Sequence, residues 1–177
     1  MGLIVNKLAI FLFLIFSVQV YGQKYIGQNG EIKFFSETPI EDISAVNSKV
    51  SAVFDSRTGD LVFQLNITDF IFPIALMQEH FNENYLESDI YPTSTFSGKV
   101  VASKNDTATV QGDLTIHGKT NKIKVIGSMI YNKESVFISA AFSVMLENYD
   151  IKVPKIVMYK IAKEIDVTVN IELKKIK

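Results

Sequence analysis

Cysteine is absent from the 177 residues, and so is tryptophan. Without cysteine there is no disulfide framework, no thiolate zinc site, no cysteine nucleophile and no thioether lipid anchor. Histidine occurs twice, as His80 and His117, which excludes a histidine-rich metal centre. An excess of either charge is also missing: 18 Lys+Arg stand against 19 Asp+Glu, a net charge of −1. That balance argues against a nucleic-acid partner, which needs a basic footprint. Proline is scarce at 4 residues, and none interrupts the alternating runs described below. What the chain holds in quantity is phenylalanine, 13 residues, beside 7 tyrosines. With 47% hydrophobic and 21% charged residues it has the composition of a folded chain, not a disordered one.

Residues 1–22 read as a targeting segment rather than fold. Lys7 precedes an unbroken apolar run, Leu8 to Phe16, and Ser17 to Gly22 is smaller and more polar. A charged start, an apolar core and a cleavable region form the order of a secretory signal, with Val20 and Gly22 at −3 and −1 and cleavage before Gln23. The run is well short of the roughly 20 apolar residues a spanning helix needs, so stable membrane insertion is not expected. Asn6 stands where myristoylation wants Ser or Thr. The expected product is residues 23–177, one domain, periplasmic or secreted, large enough to bury a core without staples. Part of the positive mean hydropathy, +0.19, belongs to the removed segment.

Residues 23–177 alternate with period two. In Glu164–Lys174, Ile165, Val167, Val169, Ile171 and Leu173 interleave with Asp166, Thr168, Asn170 and Glu172. Such alternation puts apolar side chains on one face of a strand and polar ones on the other. Thr107–His117, Asp60–Asp69, Thr93–Ala102, Asn121–Tyr131 and Val136–Leu146 repeat it, and Glu31–Phe35 and Lys49–Asp55 do so weakly, giving eight candidate strands. The joints Ser56–Gly59, Ser103–Asp106, His117–Thr120 and Asn132–Glu134 are short and polar, so neighbours pair antiparallel. Two segments depart from the pattern. Ile74–Glu87 follows Pro73 and carries Met77, Phe81 and Tyr85 at helical spacing. Pro154–Lys163 is a second short helix candidate.

Eight one-sided antiparallel strands bury their apolar face by packing as two sheets or by closing into a barrel. The fold class is therefore all-β, an eight-stranded antiparallel barrel with one or two short helices. Such a barrel either fills with its own side chains or holds one small ligand. A cavity walled by Phe, Leu, Val, Ile and Met would favour a long apolar molecule, at roughly 0.8 kcal/mol per buried methylene. Periodicity does not separate a filled core from a cavity. Parity and aromatic size name Phe34, Phe54, Phe63, Leu65, Phe96, Leu114 and Phe142 from strands, and Met77, Phe81 and Tyr85 from the helix, as cavity-lining candidates. Phe70 and Phe72 are placed at a mouth, and Met129, Met145 and Met158 join Met77 as adaptable walls.

Three strings occur in order behind the signal: Phe34-Phe-Ser-Glu-Thr-Pro-Ile-Glu-Asp-Ile43; Met77-Gln-Glu-His-Phe-Asn-Glu-Asn-Tyr-Leu-Glu-Ser88 with Tyr91-Pro92 and Phe96-Ser-Gly98; and Gly112-Asp-Leu-Thr-Ile-His-Gly118. With them, nearly all of residues 23–177 resembles the YceI-like family of bacterial periplasmic proteins. The resemblance implies a lipocalin-like antiparallel barrel. It also implies a hydrophobic cavity for a polyisoprenoid-type chain, as in characterised relatives, and brings no catalytic residues. Tyr21-Gly22 departs from the Ala-containing cleavage sites of many relatives, which bears on the cut position alone.

Other constellations are weaker. Glu79, His80, Glu83 and Glu87 cluster on or beside one helix, with His80 and Glu83 at i, i+3. A carboxylate–imidazole metal site there lacks further ligands, and a solvated helix face is the favoured reading. Glu79 and Glu83 do not stand out from ordinary surface acids as a glycosidase pair. His117, just before Gly118, is expected to fix its turn through a carboxylate such as Asp113 or Asp89. No nucleophile elbow, phosphate-binding glycine loop or His-Glu-x-x-His motif is present. A bacterial source would make the sequons at Asn66 and Asn105 irrelevant, and Lys174, Lys175 and Lys177 read as a solvated end. The expected protein is no enzyme and needs no metal or cofactor. It binds an apolar lipid such as a polyisoprenoid, non-covalently, for storage or transport in the envelope. Two rivals remain, a filled barrel acting through a protein partner and an enzyme around Glu79, His80 and Glu83. Oligomeric state is left open, a homodimer included.

Overall fold

The structure, a computed structural model, describes residues 23–38, 42–153 and 161–176. The expected signal segment, Met158 and most of the second helix candidate lie outside them. All eight expected strands form: β1 (Lys24–Ser36), β2 (Ile43–Asp55), β3 (Asp60–Asn66), β4 (Thr93–Lys104), β5 (Thr107–Ile116), β6 (Lys119–Tyr131), β7 (Ser135–Met145) and β8 (Glu164–Lys175). Each pairs antiparallel with the next, and β1 pairs with β8, so the sheet closes into a barrel without free edges.

β1 and β2 are longer than their alternation indicates, and a bulge explains why. In β1 the inward residues are Tyr25 and Gly27, then Gly30, Ile32, Phe34 and Ser36; the register slips between Gly27 and Ile32. In β2 the inward set changes parity between Asn47 and Val50. A bulge inserts one residue and moves every following side chain to the other face, so a period-two reading loses the strand there. Asn47 is fully buried at this point. Its Nδ2 donates to the Asn66 carbonyl at 2.9 Å and its Oδ1 accepts the Lys49 N–H at 2.9 Å. β3 stops at Asn66, three residues before the expected end, where a 3₁₀ turn takes over (Ile67–Asp69).

That turn is pinned from outside. Lys49 Nζ lies 2.8 Å from Asp69 Oδ1, and Asn66 Nδ2 donates to Oδ2 at 3.0 Å. The Lys49 ammonium first, then the Asn66 amide, hold the Asp69 carboxyl below its ordinary value of 3.8. A carboxylate favoured in the folded state stabilises it above the unfolded pKa, and the contribution is lost as pH falls through the lower folded value. Asp69→Asn is thus expected to cost under about 1 kcal/mol at neutral pH. Thermal melts of the two proteins should converge as acid protonates Asp69; a gap independent of pH would contradict this.

The two ends of the barrel differ. One end carries the β2–β3, β4–β5 and β6–β7 hairpins and is packed solid by Tyr25, Ala52, Phe54, Leu61, Ala108, Met129, Val136, Ile138, Ile171 and Leu173. The other end carries the connection 67–92 and the described parts of the β7–β8 connection, 146–153 and 161–163, over a second cluster that includes Leu65, Phe70, Phe72, Leu114 and Tyr149. Gly98 and Gly112 face each other across β4 and β5 between these halves. The Phe96 ring lies over both, where a Cβ on Gly98 would collide with it. A Cβ on Gly112 would sit 2.5 Å from the Ser97 carbonyl oxygen and 2.8 Å from the ring. Gly112→Ala is therefore expected to cost about 1–3 kcal/mol of stability, read by denaturant unfolding; a neutral effect would contradict this packing.

Candidate functional site

Beneath the long connections the barrel is hollow. A cavity of about 480 Å³ is bounded by inward residues of β1, β2, β3, β5, β7 and β8, among them Ile32, Phe34, Ile43, Leu65, Leu114, Ile116, Phe142, Val144, Ile165 and Val167. The β3–β4 connection supplies Ile67, Phe70, Phe72, Ile74, Leu76, Met77, His80, Phe81, Tyr85 and Leu86, and the β7–β8 connection Leu146, Ile151 and Ile161. Among the described residues no Asp, Glu, Lys or Arg lines it, and its polar side chains are Ser36, His80, Tyr85 and Ser94.

The β3–β4 connection is built to lie across the barrel end. Ile71 bridges to Val46 of β2, with N–H···O distances of 2.9 and 3.2 Å. The Phe72 N–H is taken by Gln78 Oε1 at 3.2 Å, which holds the entry to helix α1 (Ala75–His80). The expected single helix changes pitch after α1: Phe81–Tyr85 is a π turn, closed by the Leu86 N–H on the Phe81 carbonyl at 2.9 Å. The wider turn keeps Phe81, Tyr85 and Leu86 all facing the cavity, where an α-helix would rotate one of them away. Phe34, Phe70, Phe72 and Phe81 form one aromatic cluster with ring centroids 5.0–5.5 Å apart.

Of the ten cavity-lining candidates, Phe34, Leu65, Met77, Phe81, Tyr85, Leu114 and Phe142 meet at this cavity. Phe54, Phe63 and Phe96 are not among its lining residues. Phe54 is 2% exposed in the solid half, against Tyr25 at 6.1 Å. Phe63 packs against both clusters, at the floor between them. Phe96 lies over the two glycines and packs against the hollow-end cluster without lining the cavity. All three have inward parity; depth along the barrel axis, which parity does not carry, decides the place of Phe54 and Phe63, whereas Phe96 sits level with Leu114 and is set aside by its ring folding over the glycines. Phe70 and Phe72 line the cavity, whereas Met129 is packed in the solid half and Met145 lies outside the lining set. Sequence reasoning missed Ile32, Ile43, Ile67, Ile74, Leu76 and Ile151 by favouring rings over aliphatic side chains.

His117 does fix its turn, through partners other than Asp113 or Asp89. Its Nε2 lies 2.7 Å from Glu87 Oε2 and its Nδ1 is 3.1 Å from the Tyr149 carbonyl, so the ring joins both long connections to the β5–β6 turn. Tyr91 packs edge-on at 4.6 Å. Glu87, His117, Gly118 and Asp150 all take positive φ here, and a Cβ on Gly118 would stand 2.5 Å from the Tyr91 ring. Lys119 reaches Asp150 at 2.8 Å and holds that exposed carboxyl below its ordinary value. Glu87 is therefore a strap partner, separate from His80. Among the described residues no group of three His, Asp or Glu side chains could hold a metal ion.

A family model described as the YceI-like domain matches residues 16–173. The chain belongs to the YceI-like family. Solved structures share the barrel at low identity. BcnA of Burkholderia cenocepacia superposes with a TM-score of 0.73 at 15% identity, over 81% of this chain and 95% of that one. A polyisoprenoid binding domain from Saccharophagus degradans, implicated in plant cell wall breakdown, gives 0.73 at 10%, over 88% and 100%. The Campylobacter jejuni YceI protein gives 0.66 at 18%, over 80% and 89%. No curated protein sequence matches the chain. Among the described residues no helix of this YceI-like chain is long and apolar enough to cross a membrane.

Proposed function

We propose that this YceI-like protein takes an apolar, polyisoprenoid-like lipid non-covalently into the hollow half of its barrel and stores or carries it in the cell envelope. The observation that carries the reading is the 480 Å³ cavity whose lining, among the described residues, holds no Asp, Glu, Lys or Arg. A polar ligand would lose its hydration there with little in return, whereas each buried methylene contributes roughly 0.8 kcal/mol. The polyisoprenoid-binding description of the Saccharophagus degradans domain, with the same barrel, supports the ligand class. A periplasmic or secreted site of action rests on the reading of residues 1–22 as a signal. Titrating the purified protein with a fluorescent polyprenol analogue is expected to give saturable, stoichiometric binding competed by unlabelled polyprenol. Non-saturable partitioning would overturn the reading.

A further inference from the structure

We propose that the ligand is a single-chain amphiphile whose hydrogen-bonding head is held at the cavity mouth by His80 and Tyr85. This rests on the lipid-binding reading and narrows it. The mouth is located by exposure: of the residues lining the cavity, Ile74, Leu76 and His80 alone are exposed, and all three come from the start and end of one short helical stretch. Two of them are aliphatic and one is an imidazole, so a chain entering there passes greasy side chains beside one polar group.

The other polar groups of the wall are already engaged. Ser36 Oγ accepts the Ala162 N–H at 2.9 Å, and Ser94 Oγ donates to the Thr115 carbonyl at 2.8 Å. Among the described residues neither the His80 ring nor the Tyr85 hydroxyl has a hydrogen-bond partner in the protein. Burial pushes the Tyr85 phenol above its ordinary range, so it stays a donor at neutral pH. His80 and Tyr85 are five residues apart across the junction of α1 and the π turn, and both border the same space. π turns recur at functional sites, and this one keeps Leu86 on the cavity side together with Phe81 and Tyr85.

The volume sets the tail. If a methylene fills about the space of one liquid water, roughly 30 Å³, the 480 Å³ cavity takes about 15 carbons of one chain. Two acyl chains do not fit, and a much longer chain leaves its remainder outside the mouth. The head that suits an imidazole and a phenol is a hydroxyl, carbonyl or carboxylate oxygen, which each can meet as a donor.

The test is displacement of a bound fluorescent probe by hexadecane, 1-hexadecanol, palmitic acid and dipalmitoylglycerol. It uses the intact protein and its His80→Ala/Tyr85→Phe double variant. The wild type is expected to prefer hexadecanol or palmitic acid over hexadecane by about tenfold, the scale of one or two net hydrogen bonds. The double variant should bind hexadecane, hexadecanol and palmitic acid within about twofold of one another, so that the preference is lost, and dipalmitoylglycerol should displace poorly from both. Equal binding of headed and headless chains by the wild type, or an undiminished preference in the variant, overturns the head site and leaves the carrier reading standing. Failure of all four to displace the probe overturns both.

Discussion

Leu114→Trp is expected to abolish lipid uptake while leaving the barrel folded. Leu114 points inward from β5, is 8% exposed, and stands between Phe96 of β4 and Asn121 of β6 in the ladder. It belongs to the wall of the hollow half, so an indole there has empty space to enter. Overpacking a filled core costs about 1–3 kcal/mol. Here the added ring occupies volume that otherwise accepts ligand, and the cost should fall at or below the low end of that range. Affinity for a fluorescent lipid should drop tenfold or more, with the far-ultraviolet circular dichroism unchanged. Full uptake by a folded variant would mean that lipid does not enter this space.

Phe54→Ala should give the opposite pattern, a large loss of stability with binding intact in the folded fraction. Phe54 is 2% exposed and packs with Tyr25 and with Tyr131, whose ring centroid is 6.4 Å away, in the half that has no hollow. Removing a buried ring from such a site costs about 3–5 kcal/mol, a large share of the roughly 5–15 kcal/mol that holds a domain together. Phe142→Ala should cost less, because one side of that ring already faces the cavity and lacks partner atoms. Urea unfolding of the two variants side by side tests the division of the barrel. Equal destabilisation would contradict it.

The contrast between the two halves also shows what the amino-acid sequence discloses and what it withholds. Strand number, pairing sense and inward face follow from period-two alternation, and β4 to β8 form close to where that alternation puts them. The bulges at Gly27–Ile32 and Asn47–Val50 reverse parity inside β1 and β2, so only the second half of each strand is readable. Parity shows which residues point inward but not how far along the axis they sit. Phe54 and Phe142 are therefore alike in sequence and opposite in use. Loop length carries the missing information: tight hairpins close the solid end, and the connection at 67–92, with 146–153 and 161–163 of the β7–β8 connection, covers the hollow one. The helical segment was visible in the spacing of Met77, Phe81 and Tyr85, but its change to π pitch depends on tertiary packing over the cavity. The grouping of His80 with Glu87 dissolves for a similar reason, since Glu87 turns to His117 across the strap, 30 residues away in the chain.

The central claim is that the hollow half of the barrel holds lipid. Native mass spectrometry of the protein, purified without detergent from a membrane-containing lysate, tests it most directly. One bound, organic-extractable apolar mass per chain, absent from Leu114→Trp purified in parallel, is the expected result. Protein that emerges at its polypeptide mass from repeated preparations, and stays so after incubation with lipid extract, would contradict the account.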